Sequence, residues 1–241
     1  MKINFIFLFG FLTILSGCHK SGHPAGMAGM TILSDLTDSF TEVQGLTCQQ
    51  VISQLPENWN LSDKGVSAKF GYITDRVFNP VDEIKINPAE EGSEYNEMDR
   101  QNAIDTFYNR LKIKTGEIRN MPKGRSSSIV FTSLFSALNE LVVRPNCTSR
   151  KLVLLGDCRE HSGLFDAYSS VDSLKEHPEN LKARIDKECP ALKNLSGVSV
   201  ILVHLPKSDA ADHSFDLISK FLTSLLTERG AIVITQSNLK Q

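Results

Sequence analysis

Three oxygen-bearing side chains stand at alternate positions directly after the first apolar segment of the mature chain. Residues 31–42 read TILSDLTDSFTE, and Asp35, Thr37 and Ser39 follow the apolar run. Carboxylate and hydroxyl oxygens are the hard donors that Mg²⁺ takes in proteins, with several waters retained. The same residue types also build turns, and Asp38 or Ser39 would then cap the following helix. A metal site and a simple strand-to-helix loop are both consistent with this segment taken alone.

A second aspartate follows another apolar segment far along the chain. Residues 150–158 read RKLVLLGDC, with Asp157 just past the apolar run. An apolar run without alternation is typical of a parallel strand that is buried on both faces. Because ligands bind beyond the carboxyl ends of such strands, neighbouring strands would bring Asp35 and Asp157 to one edge. On its own, Asp157 is equally consistent with a cap for the helix that follows.

The hydrophobic pattern predicts alternating strands and helices along the whole mature chain. Serines ahead of the apolar helix near residue 129 are expected to cap it, and Asp212 or Ser214 to cap the last helix. The pattern predicts an α/β domain with a doubly wound, mostly parallel central sheet and helices on both faces, a Rossmann-like three-layer sandwich. The predicted strands are 30–36, 65–75, 150–158, 198–206 and 231–235, the helices are 42–55, 98–114, 129–143 and 212–230, and residues 79–98 form an edge element plus loop.

The spacing Asp35-x-Thr37-x-Ser39 resembles the D-x-[ST]-x-S motif of von Willebrand factor type A (VWA) domains. In that family the motif follows the first strand, a hydroxyl precedes the middle helix, and an aspartate follows the fourth strand. Together they form a metal-ion-dependent adhesion site. The resemblance implies that Asp157 is the later aspartate and that the site holds Mg²⁺, with Mn²⁺ or Ca²⁺ also open. It further implies binding of an acidic group on a protein partner rather than catalysis.

The middle hydroxyl and the neighbours of Asp157 depart from the family pattern. Serines replace the usual glycine pair before the hydroxyl. By their spacing to the helix, Ser128 and Thr132 both suit the family pattern. Ser128 is favoured, because Thr132 would lie a turn inside the helix. Gly156 and Cys158 replace the residues that usually flank the aspartate. A metal-free scaffold, in which the VWA-like fold persists and the site has decayed, is therefore a second form of the same hypothesis.

The N-terminus has the pattern of an export signal. Lys2 precedes an apolar run over residues 3–15, which is too short to span a membrane. The run ends in LSGC, which resembles the bacterial lipobox and implies cleavage before Cys18 and lipidation of that residue; an ordinary secretory signal is the alternative. We expect a signal peptide at 1–17, a tether at 18–29 and the VWA-like domain at 30–241. The expected location is the cell envelope, with the domain in the periplasm or at the surface.

The charge and the cysteine content of the chain limit the classes of partner and ligand that we expect. The net charge is −2 and the chain has no Lys/Arg run, so we expect an envelope protein or other macromolecule as partner and no nucleic acid. Besides Cys18, four cysteines allow three disulfide pairings, and Cys158 is expected in a disulfide or as a buried thiol. Zinc is not expected, because neither C-x-x-C nor H-x-x-x-H spacing occurs.

One enzymatic alternative centres on the same aspartate. Asp35 in DLTDS also resembles the nucleophile loop of haloacid dehalogenase-like phosphatases. Those enzymes need a second aspartate two residues on, where Thr37 stands. No G-x-S-x-G, P-loop or G-x-G-x-x-G occurs either. The sequence therefore favours a binding domain over this or another α/β hydrolase.

Overall fold

A computed structural model describes residues 26–37, 46–75, 81–89, 96–121, 127–204 and 208–239 of the chain. Its strands and helices alternate in the order that the hydrophobic pattern predicts. The described strands are β1 (Met27–Asp35), β2 (Gly65–Ile73), β3 (Asp82–Ile86), β4 (Cys147–Leu155), β5 (Val198–Val203) and β6 (Ile232–Gln236). The described helices are α1 (Cys48–Ile52), α2 (Glu97–Arg119), α3 (Val130–Val143), α4 (Ala167–Ser170), α5 (Ser173–Glu176), α6 (Pro178–Glu188) and α7 (Asp209–Thr227).

The strands form one sheet in the order β3-β2-β1-β4-β5-β6. All neighbours run parallel except β3, which pairs antiparallel with β2 at one edge. The chain starts at the centre with β1, winds outward to β3, and then returns to wind outward through β4 to β6. This is a doubly wound arrangement, in which binding sites lie where the strand order reverses. The predicted fold class is confirmed.

Side chains of the central strands alternate between two apolar cores, one on each face of the sheet. Leu152 and Leu154 of β4 join the core beneath α3 and α7, whereas Val153 and Leu155 join the core on the side of α1 and α2. All four side chains are fully buried. The apolar run over residues 152–155 is unbroken because this part of β4 is covered on both faces and has no position that meets water.

Both ends of α3 are tied to the sheet. At its C-terminal end the buried Arg144 guanidinium donates to the carbonyl oxygens of Met30 on β1, at 3.1 Å, and Ser67 on β2, at 3.2 Å. At its N-terminal end the Ile129 amide donates to the carbonyl of Thr74, just after β2, at 3.0 Å. These contacts hold the loop before α3 at the carboxyl edge of the sheet.

The last helix begins earlier than its predicted caps. Ser208 accepts a hydrogen bond from the Ala211 amide at 3.2 Å, and α7 begins at Asp209. The predicted caps, Asp212 and Ser214, are therefore wrong, since both lie inside α7. A side chain caps a helix only where its oxygen reaches the free amides of the first turn, and Ser208 is the residue so placed.

The first strand and the first helix also have different bounds from those predicted. β1 begins at Met27, inside the stretch expected to be a tether. α1 covers only part of the predicted helix 42–55, and a reciprocal capping box between Thr47 and Gln50 defines its start. None of the described helices combines the length and the apolarity that a membrane crossing requires.

Candidate functional site

The carboxyl ends of β1 and β4 bring the two predicted aspartates to one edge of the sheet. The strands pair in parallel with Ser34 opposite Leu155, so Asp35 and Gly156-Asp157 follow side by side. The packing is close, because a methyl group added to Gly156 would lie 2.5 Å from Cβ of Asp35 and 3.4 Å from its Oδ2. Asp35 is fully buried and Asp157 is 5% exposed. The two aspartates therefore follow the ends of neighbouring parallel strands at the same edge of the sheet.

Thr37 fixes the carboxylate of Asp35. Its backbone amide and its hydroxyl both donate to Oδ1 of Asp35, at 2.8 and 2.6 Å. This is the local bonding of an aspartate turn. Asp38, the other cap candidate of the loop interpretation, lies outside the described residues. A hydroxyl that gives its proton to a carboxylate keeps its oxygen lone pairs available for a cation. Ser39 lies outside the described residues.

The middle hydroxyl at this edge is that of Ser128 and not that of Thr132. Ser128 forms a two-way backbone bridge with His161 in the loop after β4, with N–O distances of 3.1 and 3.0 Å, and its hydroxyl donates to the carbonyl of Arg159 at 2.5 Å. Thr132 lies within the first turn of α3, where its hydroxyl is 3.6 Å from Sγ of Cys189. Of the two alternatives, the fold brings Ser128 to the loop that carries Asp157.

Arg159 is a residue of this edge that the sequence analysis did not identify. Its amide donates to Oδ1 of Asp157 at 3.0 Å, and its guanidinium Nε lies 3.6 Å from Oδ2 of the same carboxylate. The guanidinium also lies over the Tyr168 ring, 5.1 Å from the centroid. A positive side chain thus already faces one of the two carboxylates. Asp157 does not cap the next helix, because Asp166 caps α4.

Glu160 is the second residue that sequence reasoning missed. The carboxylate is fully buried, and Oε2 accepts the amides of Val130 and Phe131 at 2.6 and 2.9 Å, while the Ser162 hydroxyl donates to Oε1. Burial raises the pKa of Glu160, and these three hydrogen bonds oppose the rise. The expected serine cap of α3 is wrong, since Ile129 holds the cap position without a side-chain hydrogen bond. A carboxylate from a distant loop satisfies the helix terminus instead.

The cysteines do not pair in the described chain. Cys48, Cys147, Cys158 and Cys189 form no disulfide with one another. Cys158, beside Asp157, is 1% exposed and has a positive φ of 58°. Of the two expectations for Cys158, the structure shows the buried thiol.

The oxygen donors at this edge fit a hard divalent cation. Asp35 and Asp157 offer carboxylates, and Thr37 and Ser128 offer hydroxyl oxygens, which is the donor chemistry of Mg²⁺. Within the described part of the chain, no group of three or more His, Cys, Asp and Glu side chains is arranged to hold a metal ion. A site of two carboxylates completed by hydroxyls and water has fewer than three such side chains, so it differs from a group of that kind.

The positions of these residues are those that the VWA resemblance implies. Asp35 ends the first strand, Ser128 precedes the helix in the middle of the chain, and Asp157 follows the fourth strand. With the doubly wound sheet, this layout agrees with what the VWA resemblance implies for the fold.

Comparison with known proteins adds one structural likeness. No family model matches the chain, and no curated protein does. Among solved structures, the chain is similar to the VWA domain of SpRpn10, with 12% sequence identity, a TM-score of 0.32, and coverage of 90% of this chain and 91% of that one. The doubly wound fold described above rests on the order and register of the strands.

Proposed function

We propose that this VWA-like domain binds another envelope protein or macromolecule at the carboxyl edge of its sheet. A divalent cation, Mg²⁺ or an ion of similar chemistry, is held there by Asp35, Thr37, Ser39, Ser128 and Asp157. The bound cation supplies a coordination position for an acidic group of the partner. The observation that carries this proposal is that two buried aspartates from distant parts of the chain follow the ends of neighbouring parallel strands.

The chain's own residues orient the donor oxygens. Thr37 holds Oδ1 of Asp35 through two hydrogen bonds, and the Arg159 amide holds Oδ1 of Asp157. Both carboxylates are largely withdrawn from water, and a cation beside them would offset the cost of burying their charges. The guanidinium of Arg159 faces Asp157 and competes with the cation for that carboxylate. The metal-free form of the hypothesis corresponds to a site in which Arg159 alone supplies the positive charge.

Mg²⁺ and Mn²⁺ titrations by calorimetry test the cation site. We expect the full-length chain in detergent to bind the cation with measurable heat, and Asp35→Asn to weaken binding by at least about tenfold, because a direct or water-bridged oxygen donor is lost. Asp186→Asn, which changes an exposed carboxylate on α6, is the matched control and keeps the wild-type affinity. Wild-type protein that gives no heat would exclude the cation and leave the metal-free scaffold.

Partner binding is tested separately. A pull-down with the full-length chain, with and without EDTA, shows whether capture of an envelope protein depends on the cation. A panel of phosphate esters on the wild-type and Asp35→Asn proteins separates binding from catalysis. Turnover that Asp35→Asn abolishes would favour the phosphatase alternative over the proposal.

We further propose that the domain is anchored to a bacterial membrane through lipidated Cys18. Support comes from the apolar run at 3–15 and the LSGC sequence that ends it. Acyl chains add about 0.8 kcal/mol per buried CH₂, so removing them removes the anchor. We expect the wild-type chain to enter the detergent phase in a Triton X-114 partition and Cys18→Ser to remain in the aqueous phase. A Cys18→Ser protein that still partitions into detergent would contradict the lipid anchor.

A further inference from the structure

The strand β6 presents an open edge of the sheet. Among the residues that the structure describes, no strand pairs with its outer side. Its sequence, IVITQ, contains no charge and no proline, and three of its five residues are β-branched and apolar. Ile232 and Ile234 point to the same face and are 62% and 47% exposed. Open edges of this composition are templates for pairing with another strand.

The opposite edge of the sheet is protected by charged side chains. β3 carries Asp82, Glu83 and Lys85 in five residues. Asp82 pairs with Lys114 of α2, and Glu83 accepts the Ser67 hydroxyl at 2.6 Å. Charged side chains on an edge strand are a usual device that prevents edge pairing. The two edges of the described sheet therefore differ, because β6 lacks this device.

The backbone of β6 determines how a second strand can pair with it. The Gln236 carbonyl accepts the His204 amide at 3.2 Å, so Gln236 faces the β5 side. Successive residues of a parallel strand direct their backbone N–H and C=O groups to opposite sides. The backbone groups of Ile232 and Ile234 therefore also face β5, and those of Val233 and Thr235 face outward. Two N–H groups and two C=O groups are thus available for one partner strand.

We propose that β6 pairs with β6 of a second copy of this chain, antiparallel and about a two-fold axis through Ile234. In this register Val233 lies opposite Thr235 of the second copy, and each such pair exchanges two hydrogen bonds through the outward backbone groups. Ile234 lies opposite Ile234 as a non-hydrogen-bonded pair, so the exposed isoleucines of both copies contact one another on one face. No charged side chain of β6 meets a like charge, because β6 has none.

The pairing closes as a dimer. A two-fold interface uses the same edge on both copies and leaves none open for a third, and the protected β3 edge does not continue the sheet. The contact consists of one pair of short strands and four isoleucines, and its buried area is well below that of a standard interface. We therefore expect a dissociation constant in the micromolar range. The dimer does not depend on the proposed cation site, and Asp35→Asn leaves it intact.

Sedimentation of the full-length chain in detergent, across micromolar concentrations, tests this proposal. We expect the mass to rise from monomer to dimer with concentration and Ile234→Lys to stay monomeric, because two charges would meet on the axis. Met98→Lys, on a side chain that is 70% exposed on α2, is the matched control and keeps the dimer. A monomer at every concentration, larger open-ended species, or a dimer that persists in Ile234→Lys would overturn the proposal.

Cross-linking tests the register independently of stability. In this register, residue 234 is the one position of β6 that lies opposite the same residue of the second copy. Oxidation of Ile234→Cys therefore forms a disulfide-linked dimer, because opposed Cα atoms in such pairs lie within the range of a disulfide. Ile232→Cys lies opposite Gln236 and does not cross-link above the wild-type background. Equal cross-linking of both variants would exclude this two-fold register.

Discussion

Gly156→Ala is expected to lower the free energy of unfolding by about 2–5 kcal/mol and to abolish cation binding. Gly156 has a φ of 154°, a conformation that residues with a side chain rarely adopt. The added methyl would meet Cβ of Asp35 at 2.5 Å. Cβ is bonded to the backbone, so β1 and β4 must separate at the edge where the two carboxylates meet. Denaturant unfolding and Mg²⁺ calorimetry measure the two effects.

Gly163→Ala is the matched control for this substitution. Gly163 lies in the same loop after β4, and a methyl added there meets nothing within 4 Å. We expect its stability and its cation affinity to match the wild type. A Gly156→Ala protein that is as stable as Gly163→Ala would show that the two strand ends are not packed as the structure has them.

Glu160→Ala is expected to lower the free energy of unfolding by about 2–4 kcal/mol. The substitution leaves the amides of Val130 and Phe131 at the buried start of α3 without their acceptor. It also removes a negative charge from the positive end of the helix dipole. Ser128 precedes that helix, so its position at the site depends on the same contact. Urea unfolding monitored by circular dichroism measures the loss.

Glu160→Gln and a pH series separate lost hydrogen bonds from lost charge. The amide oxygen of glutamine still accepts from the helix, so we expect a smaller loss than for alanine. Burial raises the pKa of Glu160 above its ordinary value of 4.5. Its contribution to stability is therefore fully present below the unfolded pKa and is lost as pH rises through the folded pKa. The advantage of wild type over Glu160→Gln should narrow with rising pH, and an advantage that widens would contradict the raised pKa.

The central strands and their order of appearance were accessible from the sequence. Runs such as LVLL in β4 are recognisable because burial on both faces removes every polar position. Asp35 and Asp157 were found for the same reason, as the first charged residues after such runs. Helix starts were predicted less well: Ser208 rather than Asp212 or Ser214 caps α7, because several nearby side chains can cap and only one reaches the amides.

The residues that contact Asp157 and the start of α3 could not be predicted from hydrophobic runs. Arg159 and Glu160 are ordinary charged residues in a polar loop, and no periodicity marks one of them as buried. Their roles arise from contacts with Asp157, Tyr168 and the start of α3. The sequence favoured Ser128 over Thr132, but the backbone bridge between Ser128 and His161, which pairs segments that are distant in the chain, is a feature of the tertiary structure.

The sequence by itself determined the class of fold, since hydrophobic periodicity is a local property that each strand and helix carries in its own residues. It also identified the two aspartates that follow apolar strands. Only the tertiary structure decided that these strands are neighbours, how Gly156 packs against Asp35, that the Arg159 side chain faces Asp157, and which edge of the described sheet carries no charge. Those features depend on the order and register of the strands, and these are set by long-range packing of the two cores.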